Sequence, residues 1–269
     1  WGWKVSLYIL TKAVAAGAFA IPLLAFGPGQ PPGPMGWTGA LLGLIFLGWT
    51  GLLLIQDLRR MDRFLYIFLR PQWKSWLVKG GYVLFGFGGV LGLWLISGIL
   101  GGRAFQSALT WPGVALSFLA AVYTAFLFAQ AKGRDFWQSP LLPVHMLLHA
   151  VLAGGAVLLL FSPFFPAAAG DRLKEILLGG LGVSFLAFMG ELFFPHPTKD
   201  ARAAAQMILR GPGAILFWGG VVALGHGAAA GLLLSGIGGL EVLSAPLILG
   251  GVFVAAHLWV TIPQRIPLS

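Results

Sequence analysis

Ionisable side chains within or at the edge of long apolar runs of this 269-residue chain include Lys12, Asp57, Tyr123, His145, His149, Glu191, His226 and His257. Such groups are costly in an apolar setting, so each is a candidate for proton exchange or for binding a buried ligand. His145 and His149 are spaced i, i+4 and share one helix face. An imidazole there can hydrogen-bond a carbonyl oxygen and exchange its proton near neutral pH. The competing reading is an interhelical hydrogen bond, worth about 1 kcal/mol between membrane helices. Lys12 lies about eight residues, roughly 12 Å, into its run. It serves either as a pocket or relay cation, or it snorkels or pairs with a carboxylate. Glu191 can be neutral and pass protons, or pair with Lys12 or an arginine as structural glue. Asp57 can accept a proton, but pairing with Arg60 or Arg63 is the stronger reading. The Tyr123 hydroxyl can donate to a carbonyl oxygen, although a lone tyrosine more often packs. His226 sits mid-run, where it either continues a proton path from Glu191 or makes a structural hydrogen bond, and His257 is similar. His196 falls in a connection and is expected to be solvated.

The elements that must hold these groups are eight apolar runs, approximately 4–25, 37–56, 77–100, 114–130, 140–161, 174–194, 213–235 and 243–260. Each is near the ~20 residues a helix needs to cross the hydrocarbon of a bilayer. Backbone polar groups cannot stay unpaired there, so the runs predict helices. The expected fold is an all-α integral membrane protein of eight transmembrane helices over residues 1–269, arranged as two four-helix bundles. Only 9% of residues are charged, against about 25% in soluble domains. The 40 glycines suit close helix approach in lipid. Trp1, Trp3, Trp37, Trp76, Trp111, Trp137 and Trp259 fall at run ends, as in an interfacial belt. With no cysteine, the chain offers no thiolate to an iron–sulfur cluster. The net charge of +9 does not point to nucleic acid, because the charges occupy short connections between spans. The chain opens on Trp1 and shows no signal-peptide pattern.

Lysines and arginines concentrate on one side. Arg59, Arg60, Arg63, Arg70, Lys74, Lys79, Lys132, Arg134, Lys199, Arg202, Arg210, Lys4 and Arg265 fall there, against Arg103, Arg172 and Lys174 opposite. The positive-inside rule places both termini in the cytoplasm, consistent with an even number of spans. The same basic loop, with Arg59, Arg60, Arg63, Arg70 and Lys74, also suits docking of an acidic partner. Residues 27–36 form an uncharged Pro/Gly linker. Residues 57–79 mix charges with apolar residues and predict a surface helix closed by Arg70-Pro71. A short helix is expected over 199–209.

Three segments carry a family resemblance. Asp57-Leu58-Arg59-Arg60-Met61-Asp62-Arg63-Phe64 is similar to an Asp-Leu-Gly-Arg-Pro-x-Arg-Phe loop, with Arg59 and Met61 replacing the usual Gly and Pro. Tyr123, followed by Trp137-Gln138-Ser139-Pro140-Leu141-Leu142-Pro143, resembles a tyrosine on span four and a Trp-x-Ser-Pro-Leu-Leu-Pro start to span five. Glu191, then Arg210-Gly211 and Phe217-Trp218, resembles a span-six glutamate and the start of span seven. Together these resemble the NrfD/PsrC family of membrane subunits of molybdoenzyme-type respiratory complexes.

The resemblance implies a quinone-binding anchor in a bacterial or archaeal cytoplasmic membrane. The quinone is menaquinone or ubiquinone, and no haem or metal is bound by the chain itself. Electrons pass to or from a docked ferredoxin-like iron–sulfur subunit and, through it, a catalytic subunit. The expected quinone-binding set is Tyr123, the tyrosine the family places by the quinone, with His145, His149, Lys12 and Asp57. Glu191, His226 and His257 are the proton-transfer candidates. Two rival functions remain, beside a purely structural anchor with the same fold and no quinone pocket. A di-haem cytochrome b-type anchor needs histidine pairs on facing helices, which two histidines one turn apart suit poorly. A transporter favours a midplane site and repeat symmetry, whereas these polar groups gather toward one face.

Overall fold

A computed structural model describes residues 1–27, 33–57, 66–237 and 239–267, with the side chain of residue 66 outside that description. Its helices are α1 (Trp3–Phe26), α2 (Pro34–Asp57), α3 (Tyr66–Leu69), α4 (Trp76–Ile99), α5 (Arg103–Ala129), α6 (Leu142–Leu159), α7 (Ala167–Phe193) and α8 (Lys199–Leu209). There follow a π-helical segment (Leu216–Ala228), continued by α9 (Ala229–Leu234), and α10 (Ser244–Thr261). Among the described residues eight helical stretches are long and apolar enough to span a bilayer, and no strand occurs. The chain is an all-α integral membrane protein. Pro22 and Pro112 sit inside α1 and α5, which neighbouring helices in a membrane tolerate.

The packing pairs resolve into two rings of four. One joins α1, α2, α4 and α5; the other joins α6, α7, the π-helical segment with α9, and α10. α1 and α6 form the seam between them. Lipid gives little hydrophobic drive for helix pairing, so close backbone approach must supply the contact. The glycines provide it. A Cβ on Gly17 of α1 would strike the Ala150 carbonyl of α6, and one on Gly154 of α6 would strike the Gly17 backbone. Across α1 and α2, a Cβ on Gly39 would strike the Ala18 carbonyl.

Two spans run longer than their apolar cores. α5 begins at Arg103 rather than near residue 114, because its polar first turns find partners inside the bundle. Gln106 Nε2 donates to Trp94 O (3.3 Å), and Trp94 Nε1 donates to Thr110 (3.4 Å). α7 begins at Ala167 rather than near residue 174, its charged start carrying the i, i+3 pairs Arg172–Glu175 and Lys174–Asp171. α8 matches its expected span and is capped by Thr198, whose Oγ1 accepts from Ala201 N (3.2 Å). Within 57–79 the described residues hold the single turn α3, which ends before Arg70-Pro71, and from Trp76 the first turn of α4.

One face of the molecule gathers the chain ends. The N-terminal ammonium donates to Gln264 Oε1 (3.0 Å), and Gln264 Nε2 returns a bond to Trp1 O (2.9 Å). The Trp1 ring lies 5.1 Å from those of both Phe128 and Trp137. These contacts bring the start of α1, the end of α5 and the start of α6 to one level. Trp137 and Trp259 are buried inside, at 3% and 4% exposure, rather than placed in a lipid-facing belt. Trp137 Nε1 donates to Trp259 O at 2.7 Å, and the Trp259 ring packs on Phe136, His145 and Phe188. Trp1, Trp3 and Trp111 are exposed as a belt requires.

Candidate functional site

The site is built at the seam between the two rings. Lys12 stands nine residues into α1, about 14 Å from its start. Tyr123 precedes the end of α5 by six residues, and His149 follows the start of α6 by seven, so both lie roughly 10 Å in from the same face.

Lys12 is 1% exposed. Its Nζ donates to Ala121 O (2.8 Å) and to Thr124 Oγ1 (2.5 Å), and stands 4.5 Å from the Tyr123 ring centroid. Among the described residues no carboxylate pairs with it within 4.0 Å. A positive charge here is therefore met by two neutral oxygens and a π-face, but by no counter-charge. Tyr8, one turn before Lys12 on the same face, and Tyr123 both interact with the Thr124 side chain. The Tyr123 hydroxyl is buried and has no partner in hydrogen-bond geometry. Its ring fits against Gly80 of α4, where a Cβ would overlap it. Thr50 on α2 donates to Thr11 (2.9 Å), bracing α1 beside this group.

A second group surrounds Phe188 of α7, which is 1% exposed. His145 stacks on it at 4.9 Å, His226 meets it edge-on at 5.7 Å, and His149 lies 6.4 Å away. All four ring nitrogens of His145 and His149 are buried without a hydrogen-bond partner. Electrostatically, His149 faces both other histidines and Lys12, so it links the two groups. His226 is held in place: Nδ1 is 2.8 Å from Val221 O and Nε2 is 3.2 Å from Ser184 Oγ. The π-helical winding that carries it had no signal in the apolar pattern.

Glu191 does not pair with Lys12. Its Oε2 accepts from Ser139 Oγ (2.7 Å), and His145 Nε2 stands 3.8 Å away, beyond hydrogen-bond range. Glu191 also lines a cavity of about 400 Å³ that opens between the start of α6, the end of α7 and α8. His196 lines the same cavity, half-buried against Phe136 with Nε2 unpartnered, and is not the solvated loop residue expected. An open cavity, a carboxylate and imidazoles thus lie on the α6–α7 side of the seam, and a buried amine and phenol on its α1–α5 side.

The remaining candidates lie apart. His257 on α10 bonds Ser6 through Nδ1 (3.2 Å) and stacks on Phe253, pinning α10 to α1. Asp57 is exposed at the end of α2, where it acts electrostatically on Tyr8. Arg70 and Lys74 are exposed before α4. Arg59, Arg60 and Arg63 lie outside the described residues. Tyr8, Thr124, Ser139 and Phe188 were missed by sequence reasoning. Tyr8 had a signal in its i−4 spacing from Lys12 and Ser139 in the Trp-x-Ser-Pro motif, whereas Phe188 had none among 21 phenylalanines.

Eight spans enclosing a connected set of buried amine, phenol, imidazole and carboxylate groups near one face define a multi-pass membrane protein with a polar interior site. The chain belongs to the family described as polysulphide reductase, NrfD, which matches residues 1–261. It is 25% identical over 257 residues to one of the chains of the polysulfide reductase of Wolinella succinogenes, covering 84% of this protein and 80% of that relative. It is 28% identical over 214 residues to a Halobacterium salinarum protein provisionally assigned as a membrane subunit of dimethyl sulfoxide reductase. That match covers 70% of this protein and 49% of the relative, so the chain spans about half the relative's length.

Proposed function

We propose that this chain is the quinone-binding membrane anchor of a reductase complex. The observation that carries the reading is the Tyr123 hydroxyl, buried and unpartnered beside the Lys12 amine. A buried polar group without a partner is costly, and a ligand carbonyl or hydroxyl oxygen would satisfy it. A quinone ring offers such an oxygen on a flat apolar body. Lys12 supplies a second donor, and His149 stands toward the imidazole group behind it. Asp57, exposed at the end of α2, lies outside this interior site.

The reaction is exchange of two electrons and two protons at the ring. Electrons pass to or from an iron–sulfur subunit docked on the basic face, with Arg59, Arg60, Arg63, Arg70 and Lys74 in its footprint, and through it a molybdoenzyme-type catalytic subunit. Protons enter through the cavity at Glu191 and pass by His145 and His149, with His226 as a side branch and His257 structural. The names of both relatives, as parts of reductases, support the assembly. The basic loops favour a cytoplasmic face for both termini in a bacterial or archaeal cytoplasmic membrane.

The test uses the native complex in membranes. Lys12→Met and Tyr123→Phe are expected to lower quinone-linked turnover by about tenfold or more, while the catalytic partner keeps its activity with an artificial soluble dye. Unchanged quinone-linked turnover in both variants would overturn the assignment.

A further inference from the structure

Lys12 has an unusual balance of partners, and the balance specifies a ligand. An ammonium carries three N–H donors and no acceptor. Two are taken by Ala121 O and Thr124 Oγ1, and the Tyr123 ring covers part of the charge. These partners orient the nitrogen but bring no negative charge, and among the described residues no carboxylate lies within ion-pair distance. Burial disfavours an unpaired charge, so the ammonium form of Lys12 is favoured when a ligand of opposite sign completes the pair. Beside it stands the one buried donor of this group that lacks an acceptor, the Tyr123 hydroxyl. A cation and a free O–H donor side by side suit an oxyanion better than a neutral carbonyl, because charge-assisted hydrogen bonds are about twice as strong as neutral ones.

Resting on the quinone reading above, we propose that the Lys12–Tyr123 pair binds the deprotonated, anionic form of the ring, with Lys12 as the counter-charge and Tyr123 as the hydrogen-bond donor to the same oxygen. Thr124 is a positioning residue in this arrangement. Its oxygen fixes the amine, and its own proton is left to turn toward a phenol oxygen. The site then discriminates ligands by charge rather than by ring shape.

Two naphthoquinones of nearly equal shape separate these ideas: hydroxynaphthoquinone, an anion at neutral pH, and its neutral methyl ether. Their dissociation constants are read by quenching of tryptophan fluorescence on the full purified chain and on Lys12→Met and Thr124→Val. The wild-type chain is expected to prefer the anion by about tenfold or more. Lys12→Met is expected to weaken the anion about tenfold more than the ether and so to collapse that preference, with unchanged helical circular dichroism showing that the variant is folded. Thr124→Val should lose part of the preference and Thr124→Ser should keep it. Equal binding of both compounds by the wild-type chain, or equal weakening of both by Lys12→Met, would overturn the proposal while leaving the quinone site standing. Failure of the wild-type chain to bind either compound would overturn both.

Discussion

At the scale of single residues, the site is set by groups whose bonding is incomplete. The Tyr123 hydroxyl has no partner in hydrogen-bond geometry, so the packed chain gains little from it against the cost of its desolvation. Tyr123→Phe should therefore leave thermal stability of the purified chain unchanged or raise it by up to about 1 kcal/mol, measured by unfolding in detergent. A clear loss of stability would mean that the hydroxyl has a structural partner. The sequence made Lys12, Tyr123, His145, His149 and Glu191 legible as candidates, because charge and imidazole are rare in apolar runs. It left open who pairs with whom. Glu191 and Lys12 looked like natural partners by sign alone. They are drawn to different ends of the site by Ser139 and Thr124, neutral hydroxyls that carry no charge signal.

At the scale of elements, the site depends on how closely α1 lies on α6. Lys12 and His149 face each other one to two turns from the crossing at Gly17 and Gly154, where backbone meets backbone. Gly154→Ala is expected to destabilise the chain by about 1–3 kcal/mol, since its Cβ meets backbone atoms that cannot turn away. Gly48→Ala, which opens into free space, should be neutral. Thermal unfolding of the two variants side by side checks the contrast, and equal melting would show that the crossing is looser than described. The spans themselves were legible from apolar length. Their ends were not where polar residues find partners within the bundle, as Gln106 and Thr110 do on α5. The π-helical winding around His226 was also invisible, because it changes the pitch of the backbone and not the composition.

At the scale of the whole molecule, one face carries the basic connections, both chain ends and the mouth lined by Glu191. Lys74, Lys132, Lys199, Arg202 and Arg210 are all exposed, so an acidic partner approaching that face is steered by charge. Replacing Lys74 and Lys199 by Glu is expected to weaken assembly with the partner subunit, more at low than at high salt, without changing quinone binding. Co-purification across a salt series reads the effect, and assembly indifferent to both charge reversal and salt would point to an apolar dock. The most direct measurement is photolabelling of the native complex with an azidoquinone, followed by mass spectrometry of the labelled peptides. A quinone held by Lys12 and Tyr123 places the label on α1 between Tyr8 and Lys12 and on the last two turns of α5. Label confined to the other face, such as the apolar groove of about 440 Å³ lined by Pro22, Phe26, Met35 and Pro166, would contradict the Lys12–Tyr123 site.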